Sequence, residues 1–68
     1  MAYRLGIDIG GTFTDATLIN EKTGATRISK VSSTPSDPSV AFLNVSERIL
    51  REAQVDAAEI LCFKLIRR

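Results

Sequence analysis

Histidine is absent from this chain and cysteine occurs once, at Cys62. Those two gaps exclude a disulfide framework and a structural zinc site as staples for a small fold. Charge of one sign is also lacking. Nine Lys and Arg against eight Asp and Glu leave a formal net charge of +1, which gives no general electrostatic reason to engage DNA, RNA or an anionic membrane. Arg67 and Arg68 make a basic end, well short of a polybasic patch. No apolar run approaches the roughly 20 residues of a membrane span. Asp8 and two glycines interrupt the N-terminal stretch before it could serve as a signal peptide. A lone thiol and no export signal predict a cytoplasmic protein with neither nucleic acid nor membrane as partner.

What is there is short: 68 residues, 44% of them hydrophobic. A chain of this length buries only about 60% of its unfolded surface. It therefore reads as one small domain or part of a larger one, with marginal stability alone or stability through a partner.

From Tyr3 to Ile9 the apolar residues Tyr3, Leu5, Ile7 and Ile9 alternate with Arg4, Gly6 and Asp8, the period of a strand. Gly10 and Gly11 break it. From Phe13 to Asn20 a second strand is predicted, joined to the first by a hairpin. Glu21-Lys22-Thr23-Gly24 supplies the next turn, with Gly24 suited to a left-handed position. A more polar third strand, from Ala25 to Val31, completes an antiparallel three-stranded meander and belongs near an edge.

Asp37-Pro38 is a helix start, a capping aspartate before a proline at the first helical position. From there to Ala53, the apolar Phe42, Leu43, Ile49, Leu50 and Ala53 fall within roughly a 120° arc at 100° per residue. Glu47–Arg51 and Arg48–Glu52 are i,i+4 pairs, and the sequence places all four on the wet face. Asp56-Ala57-Ala58-Glu59 is a capping pattern for one helical turn. The apolar run from Ile60 to Ile66 suits a buried fourth strand parallel to the first. A helix continuing from Asp56 competes with it, and periodicity does not choose between them. Cys62 on this run is expected to be a small core residue. The fold class is thus α/β (α+β): the meander, one amphipathic helix and a fourth, parallel strand.

The first turn, Asp8-Ile9-Gly10-Gly11-Thr12, carries the chemistry. Two glycines clear the backbone for a phosphate and tolerate positive φ. The amides of such a turn can converge on anionic oxygens, and Thr12 adds a hydroxyl donor. Asp8 projects from the face opposite Leu5, Ile7 and Ile9. A carboxylate there repels phosphate unless a cation stands between, so Asp8 suits a Mg²⁺ anchor. A tight hairpin with a capping aspartate fits the pentapeptide equally. It is neither a dinucleotide fingerprint nor a P-loop, because a strand follows the glycines.

The wider pattern is more specific. Gly6-Ile7-Asp8-Ile9-Gly10-Gly11-Thr12-Phe13-Thr14-Asp15 resembles the start of the hydantoinase A/5-oxoprolinase family, within the actin/Hsp70/sugar-kinase ATPase superfamily. Gly24, Lys30, Ser33-Thr34-Pro35, Asp37-Pro38 and Glu47-Arg48-Ile49-Leu50 continue the likeness in order over about the first sixty residues. The resemblance implies a partial RNase H-like ATPase lobe and ATP-dependent opening of cyclic amides, with ATP and Mg²⁺ as cofactors. It implies that Gly10, Gly11 and Thr12 cradle phosphate, that Asp8 holds Mg²⁺ through water, and that Thr14 and Asp15 line the cleft, Asp15 as a further metal contact.

Residues 61–68 depart from the family's pattern, which continues into a second phosphate loop. The expectation is therefore a single partial domain over residues 1–68, without activity on its own. Its partners would be nucleotide and the remainder of a parent protein. Two alternatives stand beside it: a self-associating interaction module that uses exposed strand edges, and a fragment of a sugar-kinase-like protein. Lys30 at a strand end is read as solvent-facing, although it could approach an anion.

Overall fold

Alternation in the first strand organises the molecule. In the computed structural model, which describes residues 2–67, Leu5, Ile7 and Ile9 of β1 (Tyr3–Ile9) are buried and the intervening residues are not. β2 (Phe13–Asn20) returns antiparallel, opposing Leu5 to Leu18 and Ile7 to Ala16, so the apolar sets share one face. β3 (Thr26–Ser32) pairs with β2 and lies at the edge, as its polar composition predicts, shifted by one residue from the sequence-based limits. The turn between them holds Gly24 at φ 78°, the left-handed position for which glycine is suited.

β4 (Ile60–Arg67) settles the open choice at the C-terminal run. It is a strand, parallel to β1, and completes a sheet of order β3-β2-β1-β4. The single 3₁₀ turn Ala57–Glu59 leads into it, with the Glu59 carboxylate accepting from the Asp56 amide at 2.8 Å.

One helix, α1 (Pro38–Ala53), covers one face of the sheet. Pro38 opens it, and the Asp37 carboxylate accepts from the Ser39 amide at 3.3 Å. At the other end Gln54 adopts φ 58°, and the amides of Gln54 and Val55 donate to Arg51 and Leu50 carbonyls, a Schellman closure. Both i,i+4 ion pairs form, Arg48–Glu52 at 3.4 Å and Arg51–Glu47 at 3.5 Å.

Three sequence-based expectations are corrected. The buried stripe of α1 is Ala41, Val45 and Ile49, flanked by Phe42, Leu50 and Ala53, while Leu43 is 61% exposed. The stripe is therefore rotated by roughly a quarter turn from the arc drawn through the largest apolar residues. The rotation brings Glu52 to the β3 edge, where its carboxylate accepts from Ser29 Oγ at 2.6 Å.

β4 is not buried, and Cys62 is not a core residue. Leu61, Phe63, Leu65 and Ile66 are all exposed, as is Cys62. β4 is the outermost strand beyond β1: its first residue, Ile60, packs partly buried against the core and Phe63 meets Phe42 edge to face at 5.7 Å, while residues 61–66 stay exposed. No described helix is long and apolar enough to cross a membrane.

Candidate functional site

Strand register builds the site on the face that α1 leaves open. Asp8 on β1 lies directly opposite Asp15 on β2, Asp15 opposite Lys30 on β3, and Asp8 beside Ile66 on β4. One transverse row of the sheet therefore reads Ile66, Asp8, Asp15, Lys30. Direct cross-strand partners have Cβ atoms roughly 5 Å apart, and like charges so placed repel. Two carboxylates at such a position are destabilising unless a cation lies between or beside them.

Lys30 stands beside Asp15 in this row. Its ammonium stands 4.0 Å from Asp15 Oδ1, too far for a hydrogen bond, and 5.2 Å from the centroid of the Phe13 ring. Asp15 Oδ1 is itself buried and accepts no hydrogen bond among the described residues. A buried carboxylate oxygen without a donor is costly in a folded chain, and it is the feature that a bound cation would explain. The donor set fits Mg²⁺, which takes one or two protein carboxylates and fills its remaining positions with water and phosphate oxygens.

The glycine turn lies beside the middle of this row, one residue pair further along the β1–β2 hairpin. The Gly10 amide donates to the Phe13 carbonyl at 3.0 Å and closes the hairpin. Neither glycine uses the left-handed region, since Gly24 is the only described glycine with positive φ. What the turn uses is the missing side chain: a Cβ on Gly11 would project into open space. Gly10 and Gly11 line two depressions, one of about 360 Å³ with Thr12, Phe13, Asp15 and Lys30, the other of about 140 Å³ with Ile9, Ser33, Thr34, Pro35 and Pro38. A further depression beside the larger one is lined by Gly6, Asp8, Asp15, Thr17, Lys64 and Ile66, so Asp15 is shared by these two.

Thr14 is placed elsewhere. Consecutive strand residues point to opposite faces, so Thr14 and Asp15 cannot both line the cleft. Thr14 is wholly buried on the core side, its hydroxyl 2.9 Å from Ser33 Oγ. The structure thus places Gly10, Gly11 and Thr12 around one depression and Asp8 around its neighbour, with Asp15 common to both, and sets Thr14 behind them. Lys30 and Lys64, both on the open face, join the site. The pairing of Lys30 with Asp15 was latent in the hairpin lengths, but Lys64 depends on the parallel register of β4, which no local pattern encodes.

A family model for the hydantoinase/oxoprolinase N-terminal region matches residues 4–65. The chain belongs to this family. The match runs from β1 into β4 and takes in both carboxylates, the glycine turn and Lys30. Two curated relatives carry the likeness further. The chain is 42% identical over 59 residues, 87% of its length, to the caprolactamase subunit alpha of Pseudomonas jessenii. It is 47% identical over 47 residues, 69% of its length, to an uncharacterized protein of Methanocaldococcus jannaschii. The aligned segments span only 8% and 7% of those two proteins.

Proposed function

We propose that this chain forms the phosphate and metal wall of a nucleotide site in an enzyme that opens cyclic amides at the expense of ATP. The observation that carries the proposal is the cross-strand pair Asp8–Asp15 beside the open glycine turn, with Asp15 Oδ1 buried and without a hydrogen-bond donor among the described residues. Membership of the hydantoinase/oxoprolinase family supports the substrate class, as does the likeness to a caprolactamase subunit, whose named substrate is a cyclic amide.

Each group has a task in this scheme. Asp8 and Asp15 hold Mg²⁺, directly or through water, and the ion removes their mutual repulsion. The Gly11 and Thr12 amides and the Thr12 hydroxyl donate to phosphate oxygens, while Gly10 and Gly11 keep side chains out of the approach. Lys30, on the far side of Asp15, offers a second positive charge to the phosphates. Thr14 supports the turn from behind. ATP and Mg²⁺ when bound supply a phosphoryl group for the amide oxygen, which gives a resonance-stabilised carbonyl the leaving group that attack by water requires. The groups that hold the adenosine and the ring are assigned to the remainder of a much longer protein, so transfer is not expected from these 68 residues alone.

Calorimetric titration of the chain with ATP, with and without Mg²⁺, tests the proposal. Saturable binding that requires Mg²⁺ and weakens by about tenfold or more in Asp8→Asn and Asp15→Asn is expected, a loss of roughly 1.4 kcal/mol or more. No binding at millimolar nucleotide, or binding indifferent to Mg²⁺ and to both substitutions, overturns it.

A further inference from the structure

Ser33 lies outside the glycine turn, yet it makes two hydrogen bonds to the turn's backbone and a third to the Thr14 side chain behind it. Its amide donates to the Thr12 carbonyl at 2.8 Å, and its hydroxyl donates to the Gly10 carbonyl at 2.6 Å. The Thr14 hydroxyl lies 2.9 Å from the same Ser33 oxygen. A serine hydroxyl carries one proton. Since that proton goes to Gly10, the Thr14 hydroxyl must donate to Ser33, which fixes the direction of the whole relay: Thr14 to Ser33 to Gly10.

The direction matters because of peptide geometry. In a trans peptide the C=O of one residue and the N–H of the next point to opposite sides, and the described residues contain no cis bond. Anchoring the Gly10 carbonyl toward Ser33 turns the Gly11 amide the other way. Thr14, which reaches Ser33 from behind, is wholly buried on the face covered by α1. The Gly11 amide is thereby directed to the opposite side, the side of Asp8 and Asp15.

We propose that Ser33 is the positioning residue of the phosphate turn: through its relay with Thr14 it locks the Gly10–Gly11 peptide with the Gly11 amide facing the carboxylates. This rests on the phosphate-site reading above. A turn with two adjacent glycines has wide backbone freedom, so without an anchor the same peptide can flip and present a carbonyl to the anion. Thr34 extends the arrangement by taking the Ala41 amide at 3.1 Å and donating to the Asp37 carbonyl at 2.6 Å, which ties the loop to the start of α1.

The test is an amide-resolved titration of the full chain with Mg²⁺-ATP, comparing wild type with Ser33→Ala, Ser33→Thr and Ser33→Cys. In wild type the Gly11 amide is expected to move with nucleotide. Ser33→Ala is expected to weaken binding by about tenfold and to shift Gly11 in the absence of ligand. Ser33→Thr, which keeps the hydroxyl, is expected to restore both. Should Ser33→Ala fail to fold, the near-isosteric Ser33→Cys, a weak donor, is expected to fold and to show the same loss. If wild type binds and the hydroxyl-deficient variants bind equally well with Gly11 unshifted, the positioning role is overturned while the phosphate site stands. If wild type does not bind Mg²⁺-ATP at millimolar concentration, the phosphate site fails and the inference with it.

Discussion

Asp8 and Asp15 face each other across the β1–β2 hairpin on the side of the sheet that α1 does not cover. A repulsive pair of this kind costs roughly 0.2–1 kcal/mol in the absence of a cation. Mg²⁺ should therefore raise the melting temperature of the chain, since a ligand that binds only the folded state stabilises it by mass action. Asp15→Asn removes the repulsion and half of the ligand set together. Its melting temperature without metal is expected to equal or slightly exceed that of wild type and to show no response to Mg²⁺. A Mg²⁺ response preserved in the variant would contradict the metal assignment.

The rotated face of α1 is tested in the core. Ile49 is wholly buried and Leu43 largely exposed, although the sequence arc treats them alike. Ile49→Ala is expected to cost about 2–5 kcal/mol, enough to unfold much of a chain this small. Leu43→Ala should change stability by less than about 0.5 kcal/mol. Denaturant midpoints for the two variants separate these outcomes.

That contrast shows what was legible in the sequence and what was not. The first two strands, the Asp37 cap, both i,i+4 pairs and the left-handed Gly24 are local properties, and each appears where local patterning puts it. β3 is shifted by one residue, and at the C-terminal strand local pattern does not choose between strand and helix. The orientation of α1 is not local. It is decided by how the whole helix packs on the sheet, which buries Ala41, Val45 and Ile49 together and leaves Leu43 exposed. The site divides in the same way. Asp8 and the glycine turn follow from strand period and turn chemistry. Thr14 and Asp15 looked equivalent until alternation assigned one to each face. Ser33 stands in the sequence only as part of the Ser33-Thr34-Pro35 likeness and without a role, because that role depends on β3 returning beside the hairpin.

Acid should weaken the link between α1 and β3. The Ser29 hydroxyl holds the Glu52 carboxyl below its ordinary value of 4.5; burial opposes this, while Arg48 and Arg27 add to it. The folded state therefore releases that proton more readily than the unfolded state does. The associated stability is present above the ordinary value and is lost as pH falls through the lowered one. Melting temperatures measured from neutral pH into this range should fall less steeply for Glu52→Gln than for wild type. Parallel curves would show that Glu52 contributes nothing.

The exposed outer edge at β4 predicts self-association of the chain in concentrated solution. Leu61, Phe63 and Leu65 project from the outermost strand, a position at which unpaired backbone groups and apolar side chains template further pairing. Sedimentation should reveal concentration-dependent oligomers that Leu61→Lys diminishes. A strict monomer at high concentration would contradict the prediction.

The most direct test of the central claim is to replace Mg²⁺ with Mn²⁺ and follow paramagnetic broadening of the amide signals in the presence of ATP. A cation held by Asp8 and Asp15 must broaden the amides of those residues and of the turn at residues 10–13, and leave the charged face of α1 around Glu47 sharp. Broadening centred on Glu47, or none at the turn at millimolar nucleotide, would contradict the account.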